Sequence, residues 1–119
     1  MSALTTSLRT SVAGPVLALD GVLDHDSAPQ LHHVLQDLEL REGQQLTVEM
    51  TGIAFCDSSG ISALLAARRR ALQDGAQFAM SAVPDRLLRT FGIVGLDQVL
   101  TTFATTDQAI DAWAQARPA

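Results

Sequence analysis

The chain of 119 residues contains no lysine and no tyrosine, has one cysteine, and carries no apolar run approaching the ~20 residues that span a membrane. The single cysteine, Cys56, excludes an internal disulfide and a cysteine-based zinc cluster and agrees with a reducing compartment, so the expected location is cytoplasmic. Residues 1 to 12 lack the charged start and apolar core of a secretory signal, so neither secretion nor membrane insertion is expected. All eight basic residues are arginine, set against thirteen acidic ones for a formal charge of −5. With no alternation of basic and aromatic residues, direct nucleic-acid binding is not expected. Arg68-Arg69-Arg70 is the one basic run; consecutive helical residues point in different directions, so it reads as a solvated helix face, with a partner contact as the alternative.

What is present is an alternation of strand and helix patterns. At this length a chain buries about two thirds of its unfolded surface, enough for a conventional core, and one domain over residues 1–119 is expected. Residues 4–12 read as a polar edge strand closed by a turn at Gly14-Pro15, and residues 16–19 as a second strand pairing with it as a hairpin. Residues 20–27 follow as a polar connection with three carboxylates and His25. Ser27 with Gln30 matches a capping box, and Ala28, Leu31, Leu35 and Leu38 trace a helix to about residue 40. Leu46, Val48 and Met50 alternate with Thr47, Glu49 and Thr51 as a strand does.

The chain is organised around residues 55–70, where an apolar lead-in, the polar turn Asp57-Ser58-Ser59-Gly60 and an apolar-faced helix from Ile61 meet. Gly75 stands where a left-handed cap would fall. Either Ser58 or Ser59 is placed to cap the first turn, and the helix N-terminus there favours an anion such as phosphate. Beyond it, residues 76–82 predict a strand, Pro84 to Gly92 a short helix, residues 99–103 a last strand, and Thr105 with Gln108 a terminal helix docked by Ile110 and Trp113. The fold class is α/β, a mixed sheet of four to five strands with about four helices, with function at the carboxyl ends of strands near Ser58.

Catalytic and cofactor signals are weak. His32 and His33 diverge by about 100° on a helix and cannot easily share one metal. A serine hydrolase would need Ser58 or Ser59 with His25 and Asp24, yet the G-x-S-x-G elbow is absent. No G-x-G-x-x-G or G-x-x-x-x-G-K-[ST] occurs. No enzyme activity, cofactor or metal is therefore expected, and on physics alone Ser58 reads as a simple helix cap.

Residues 53–65, IAFCDSSGISALL, resemble the phosphorylation-site motif of STAS domains, specifically the bacterial anti-sigma factor antagonists, and residues 21–27, GVLDHDS, resemble the same family's G-E-L-D loop. The resemblance implies a single STAS-like domain. It implies that Ser58 is phosphorylated by a cognate anti-sigma factor of the GHKL serine-kinase type, that the unphosphorylated protein binds this partner and frees a sigma factor, and that a serine phosphatase resets the switch. Asp24, His25, Asp57, Ser58, Ser59 and Gly60 would form the partner-binding surface, Asp24 lying close to the turn and Asp57 shaping it. Val22 departs from the family's usual Glu, and Cys56 replaces a common Met as a small buried apolar residue. The alternative is a STAS scaffold or transporter-associated subunit that carries no phosphate.

Overall fold

Period-2 alternation in the central strand sorts the molecule into layers. In the computed structural model, which describes residues 3–117, Gln45–Cys56 forms one strand (β3) whose Leu46, Val48 and Met50 are fully buried in the main core. The intervening Gln45, Thr47 and Glu49 face the other way. Gln45 Nε2 donates there to Ala109 O of the terminal helix (3.1 Å). Five strands, β1 (Leu4–Ser11), β2 (Gly14–Leu23), β3, β4 (Gln77–Ser81) and β5 (Thr102–Phe103), lie in that spatial order among the described residues. β1 runs antiparallel to β2, and the rest are parallel, as an α/β hairpin followed by helical crossovers requires.

Among the described residues four helices accompany the strands: α1 (Ala28–Asp37), α2 (Ser58–Gln73), α3 (Asp85–Val94) and α4 (Thr106–Ala116), with a short 3-10 turn at Leu96–Gln98. Leu31 and Leu35 of α1, Leu64 and Ala67 of α2, and Leu87 and Phe91 of α3 share one core with the inner face of the sheet. On the opposite face α4 docks through Ala109 and Trp113, whose indole Nε1 donates to Gly43 O (2.9 Å), while Ile110 is half-buried.

Several boundaries differ from those the sequence predicts. The hairpin turn falls at residues 12–13, stabilised by Ser11 Oγ, which accepts from Ala13 N and donates to Gly14 O; Gly14 and Pro15 already belong to β2. β2 continues through Asp20 to Leu23, because β3 offers it a pairing partner from Gly52 to Cys56 across two irregularities. Ser27 makes no side-chain cap and no capping box forms: Gln30 Nε2 donates instead to Leu4 O (2.8 Å). α1 stops at Asp37 rather than near residue 40, and α3 passes through Gly92 to end at Gly95, which takes the left-handed φ of 80°. The last strand shrinks to two residues, since the amides of Val99 and Leu100 bond back to Leu96 O. Leu72, near the end of α2, is 49% exposed.

Candidate functional site

The carboxyl ends of β2 and β3 are adjacent, and the turn between β3 and α2 is built directly on the end of β2. Asp57 N donates to Leu23 O (3.3 Å), joining the connection after β2 to the turn after β3. Gly60 permits this closeness: a Cβ there would sit 2.4 Å from Leu23 O and 2.7 Å from Cys56 Sγ. A side chain at position 60 would force the helix away from the strand.

The N-cap of α2 is Asp57, not a serine. Its extended backbone turns the carboxylate back so that Oδ1 accepts from Gly60 N (3.0 Å), and Ile61 N closes onto Asp57 O (2.9 Å). The expectation of a serine cap is thereby corrected, for a physical reason: Asp is as good an N-cap and stands one residue earlier. Ser58 and Ser59 are left in the first helical turn, Ser58 exposed and Ser59 half-buried, where the positive end of the helix dipole acts.

Asp24 is half-buried and its carboxylate organises its own loop. Its Oδ1 accepts from Asp26 N (3.1 Å) and Ser27 N (3.0 Å), while Ser27 Oγ donates to Val22 O (2.7 Å) and accepts from Asp24 N (2.9 Å). This loop therefore stands beside the α2 turn through the Leu23 carbonyl and not through the Asp24 side chain. His25 is exposed. Among the described residues no hydrogen bond joins His25 or Asp24 to Ser58 or Ser59, and no three His, Cys, Asp or Glu side chains converge on a metal position.

Cys56 is half-buried rather than buried. Burial, with the nearby Asp57 charge adding to it, pushes its thiol up to about 12, so it stays protonated at neutral pH and is no nucleophile. Beside it lies a groove of about 430 Å³ lined by the end of β3 and by Pro84, Arg86, Leu87 and Thr90 of the β4–α3 region. Sequence reasoning missed this groove. Phe55, expected as part of an apolar lead-in, is 53% exposed on it, and no local signal at Phe55 says what will cover it.

Residues 6–102 match the family described as "Mlab, STAS domain". The chain belongs to the STAS-domain family. The STAS relatives include the anti-sigma-B factor antagonist of Listeria monocytogenes, 28% identical over 80 residues that cover 67% of this chain and 70% of that protein. The fold is similar to that of an anti-sigma-factor antagonist STAS protein from Planctomyces limnophilus, with a TM-score of 0.81 at 18% identity over 92% of this chain and 97% of that one. It is also similar to the Bacillus cell fate determinant SpoIIAA in its phosphorylated form, with a TM-score of 0.61 at 20% identity over 91% and 98%. Among the described residues of this STAS chain, no helix is long and apolar enough to cross a membrane.

Proposed function

We propose that this STAS protein is an anti-sigma factor antagonist whose unphosphorylated form binds an anti-sigma factor with GHKL-type serine-kinase activity and so frees a sigma factor, and that phosphorylation of Ser58 ends the binding. The observation that carries the reading is the exposure of Ser58 in the first turn of a 16-residue helix, with the capping task already taken by Asp57. Its hydroxyl is thus free of a structural duty and open to a kinase. The names of the relatives, one of them described in a phosphorylated form, support the same reading.

The switch is electrostatic. A phosphate adds about −1.5 to −2 charges beside Asp57 and next to the Asp24 loop. The helix dipole offsets only about 0.3–1 kcal/mol, whereas a unit like-charge contact at ~4 Å costs about 4 kcal/mol at an effective dielectric near 20. A 100-fold loss of partner affinity needs only about 2.7 kcal/mol. Asp24, His25, Asp57 and Ser59 complete the surface around Ser58, whereas Gly60, expected there from the sequence, is buried and serves the turn from beneath; a serine phosphatase restores the binding form, and the cycle runs in the cytoplasm on a single domain of residues 1–119.

A second reading, a STAS scaffold or transporter-associated subunit without phosphate, is favoured by Val22, which stands where the antagonists usually carry Glu. Phosphopeptide mapping after incubation with ATP and host extract, with Ser58→Ala in parallel, separates the two. Phosphate on Ser58 that vanishes in the variant is expected; its absence, in an extract that phosphorylates a control antagonist, establishes the scaffold instead.

A further inference from the structure

We propose that the groove along the outer edge of β4, at the amino-terminal ends of the strands, binds an extended acidic segment of a partner protein, which adds to the sheet in line with β5. The site is independent of Ser58. Gln45 and Gln77, which line it, begin β3 and β4, whereas Ser58 follows the far end of β3, roughly 35 Å away at ~3.3 Å per residue.

The backbone supplies the first observation. β5 pairs with β4 only at Met80 and Ser81, because the chain before it turns back, with the amides of Val99 and Leu100 bonded to Leu96 O. In a parallel sheet alternate residues of a strand direct their N–H and C=O to opposite sides. Gln77 N donates to Gln44 O on the β3 side and Met80 N to Thr101 O on the β5 side, so Phe78 faces the β5 side as Met80 does. Among the described residues no backbone hydrogen bond joins Phe78 to residues 98–101, which leaves a donor and an acceptor open on this edge. Open edge groups of this kind are the template on which another strand adds.

Charge is the second. Among the described residues Arg68 of α2 is the one charged side chain lining the groove, which has a volume of about 350 Å³. It is half-buried and makes no hydrogen bond or ion pair there, whereas Arg70, the other half-buried arginine, is fully engaged and the remaining arginines are exposed. A guanidinium held partly out of water is matched by a carboxylate, which accepts two parallel N–H bonds from its fork. The formal charge of −5 on the whole chain gives no general attraction for acids, so the selection is local to Arg68.

Apolar walls are third. α2 and α4 lie on opposite faces of the sheet, so Leu72, 49% exposed, flanks the edge on one face and Trp113 on the other. Successive side chains of an added strand point to opposite faces. A carboxylate directed to Arg68 therefore has an apolar neighbour directed to Trp113, and the recognised segment carries Asp or Glu directly beside an apolar residue.

The test selects random heptapeptides displayed on phage against the immobilised protein and measures the dissociation constants of enriched peptides by fluorescence anisotropy. Enriched peptides carry Asp or Glu directly beside an apolar residue. Arg68→Glu weakens them about 30-fold, equivalent to about 2 kcal/mol. Leu72→Glu, at an exposed position, sets a carboxylate four residues beyond Arg68 that engages it, and weakens them about 10-fold. Arg69→Glu, the same charge change on the exposed neighbour, binds as wild type. Urea midpoints matching wild type separate lost binding from lost folding. In hydrogen exchange, saturating peptide protects the Phe78 amide and leaves that of Gln77, already bonded to Gln44, unchanged. Peptides that bind Arg68→Glu and Leu72→Glu as tightly as wild type, an enriched set without acidic residues, or no enrichment over bare support overturn the site. Binding that leaves Phe78 exchange unaltered overturns strand addition. Arg69→Glu as damaging as Arg68→Glu overturns the site in favour of diffuse charge, and N-acetylglutamate competing as strongly as the peptides overturns it in favour of a small carboxylate.

Discussion

Asp57 sits at the start of α2 with two separable properties, an acceptor that caps the helix and a negative charge beside Ser58. The cap is the hydrogen bond from Gly60 N to Oδ1. Substitution by Ala removes acceptor and charge together, whereas Asn keeps an acceptor of nearly equal capping quality. Asp57→Ala is expected to cost about 1 kcal/mol, and Asp57→Asn only a few tenths, read from urea midpoints. An Asn variant as unstable as the Ala variant would mean that the charge, through the helix dipole, holds the turn. The same pair bears on the switch: if repulsion from Asp57 contributes to release, phosphorylated Asp57→Asn binds the partner more tightly than phosphorylated wild type. Gly60 allows no such dissection, because any Cβ there meets the Leu23 carbonyl and the Cys56 sulfur.

α1 carries no basic residue in its own last turn, and α2 supplies one instead. Arg70 donates to Leu35 O and to Leu38 O (2.7 Å), carbonyls at the open end of α1, and its Nε pairs with Asp74 (3.1 Å). One member of the arginine run is thus structural, which corrects the reading of all three as a solvated face. Arg70→Ala is expected to destabilise by about 1.5–3 kcal/mol, the range for hydrogen bonds to a charged group, and Arg70→Lys to recover only part, lacking the fork. Arg69→Ala, exposed, should stay within about 0.5 kcal/mol of wild type, which urea unfolding of the three variants checks. Arg70 also shows where sequence reading stops. Local pattern was enough to find the hairpin, β3 and the β3–α2 junction that holds the candidate site, though not the hairpin's turn at residues 12–13 or Asp57 as the cap, because alternation and helical spacing are properties of neighbouring residues. The end of α1 depends on a residue more than thirty positions later. The extension of β2 through Leu23 likewise depends on pairing with β3, and the open position of Phe55 on what fails to cover it. Asp57 as cap was legible in principle, since an Asp directly before the serines is an equal capping candidate.

Across the whole molecule, one polar chain ties the edge of the sheet to its middle and to the terminal helix. Arg9 of β1 pairs with Glu49 of β3 (2.9 Å), Thr106 of α4 donates to the same carboxylate (2.6 Å), and Ser81 of β4 meets Thr106 (2.7 Å). The hydrogen bond from Arg9, then that from Thr106, lowers the Glu49 carboxyl below the usual range, while the hydrogen bond to Glu49 raises Arg9. A carboxylate depressed in the folded state contributes stability that is fully present above its unfolded value, about 4.3, and is lost as pH falls through its folded value. Arg9 titrates too high to act in this window. Because the side chain of Arg9 is 52% exposed and that of Glu49 22%, solvent screening limits the pair to about 1 kcal/mol or less. Glu49→Gln is therefore expected to lose up to about 1 kcal/mol at pH 7, with the difference from wild type shrinking below pH ~4 and in 1 M salt. Paired urea titrations at pH 7 and pH 3 measure it. A difference that stays constant between those pH values would assign the stabilisation to the neutral hydrogen bonds and packing that Gln preserves or breaks, and not to the charge on Glu49.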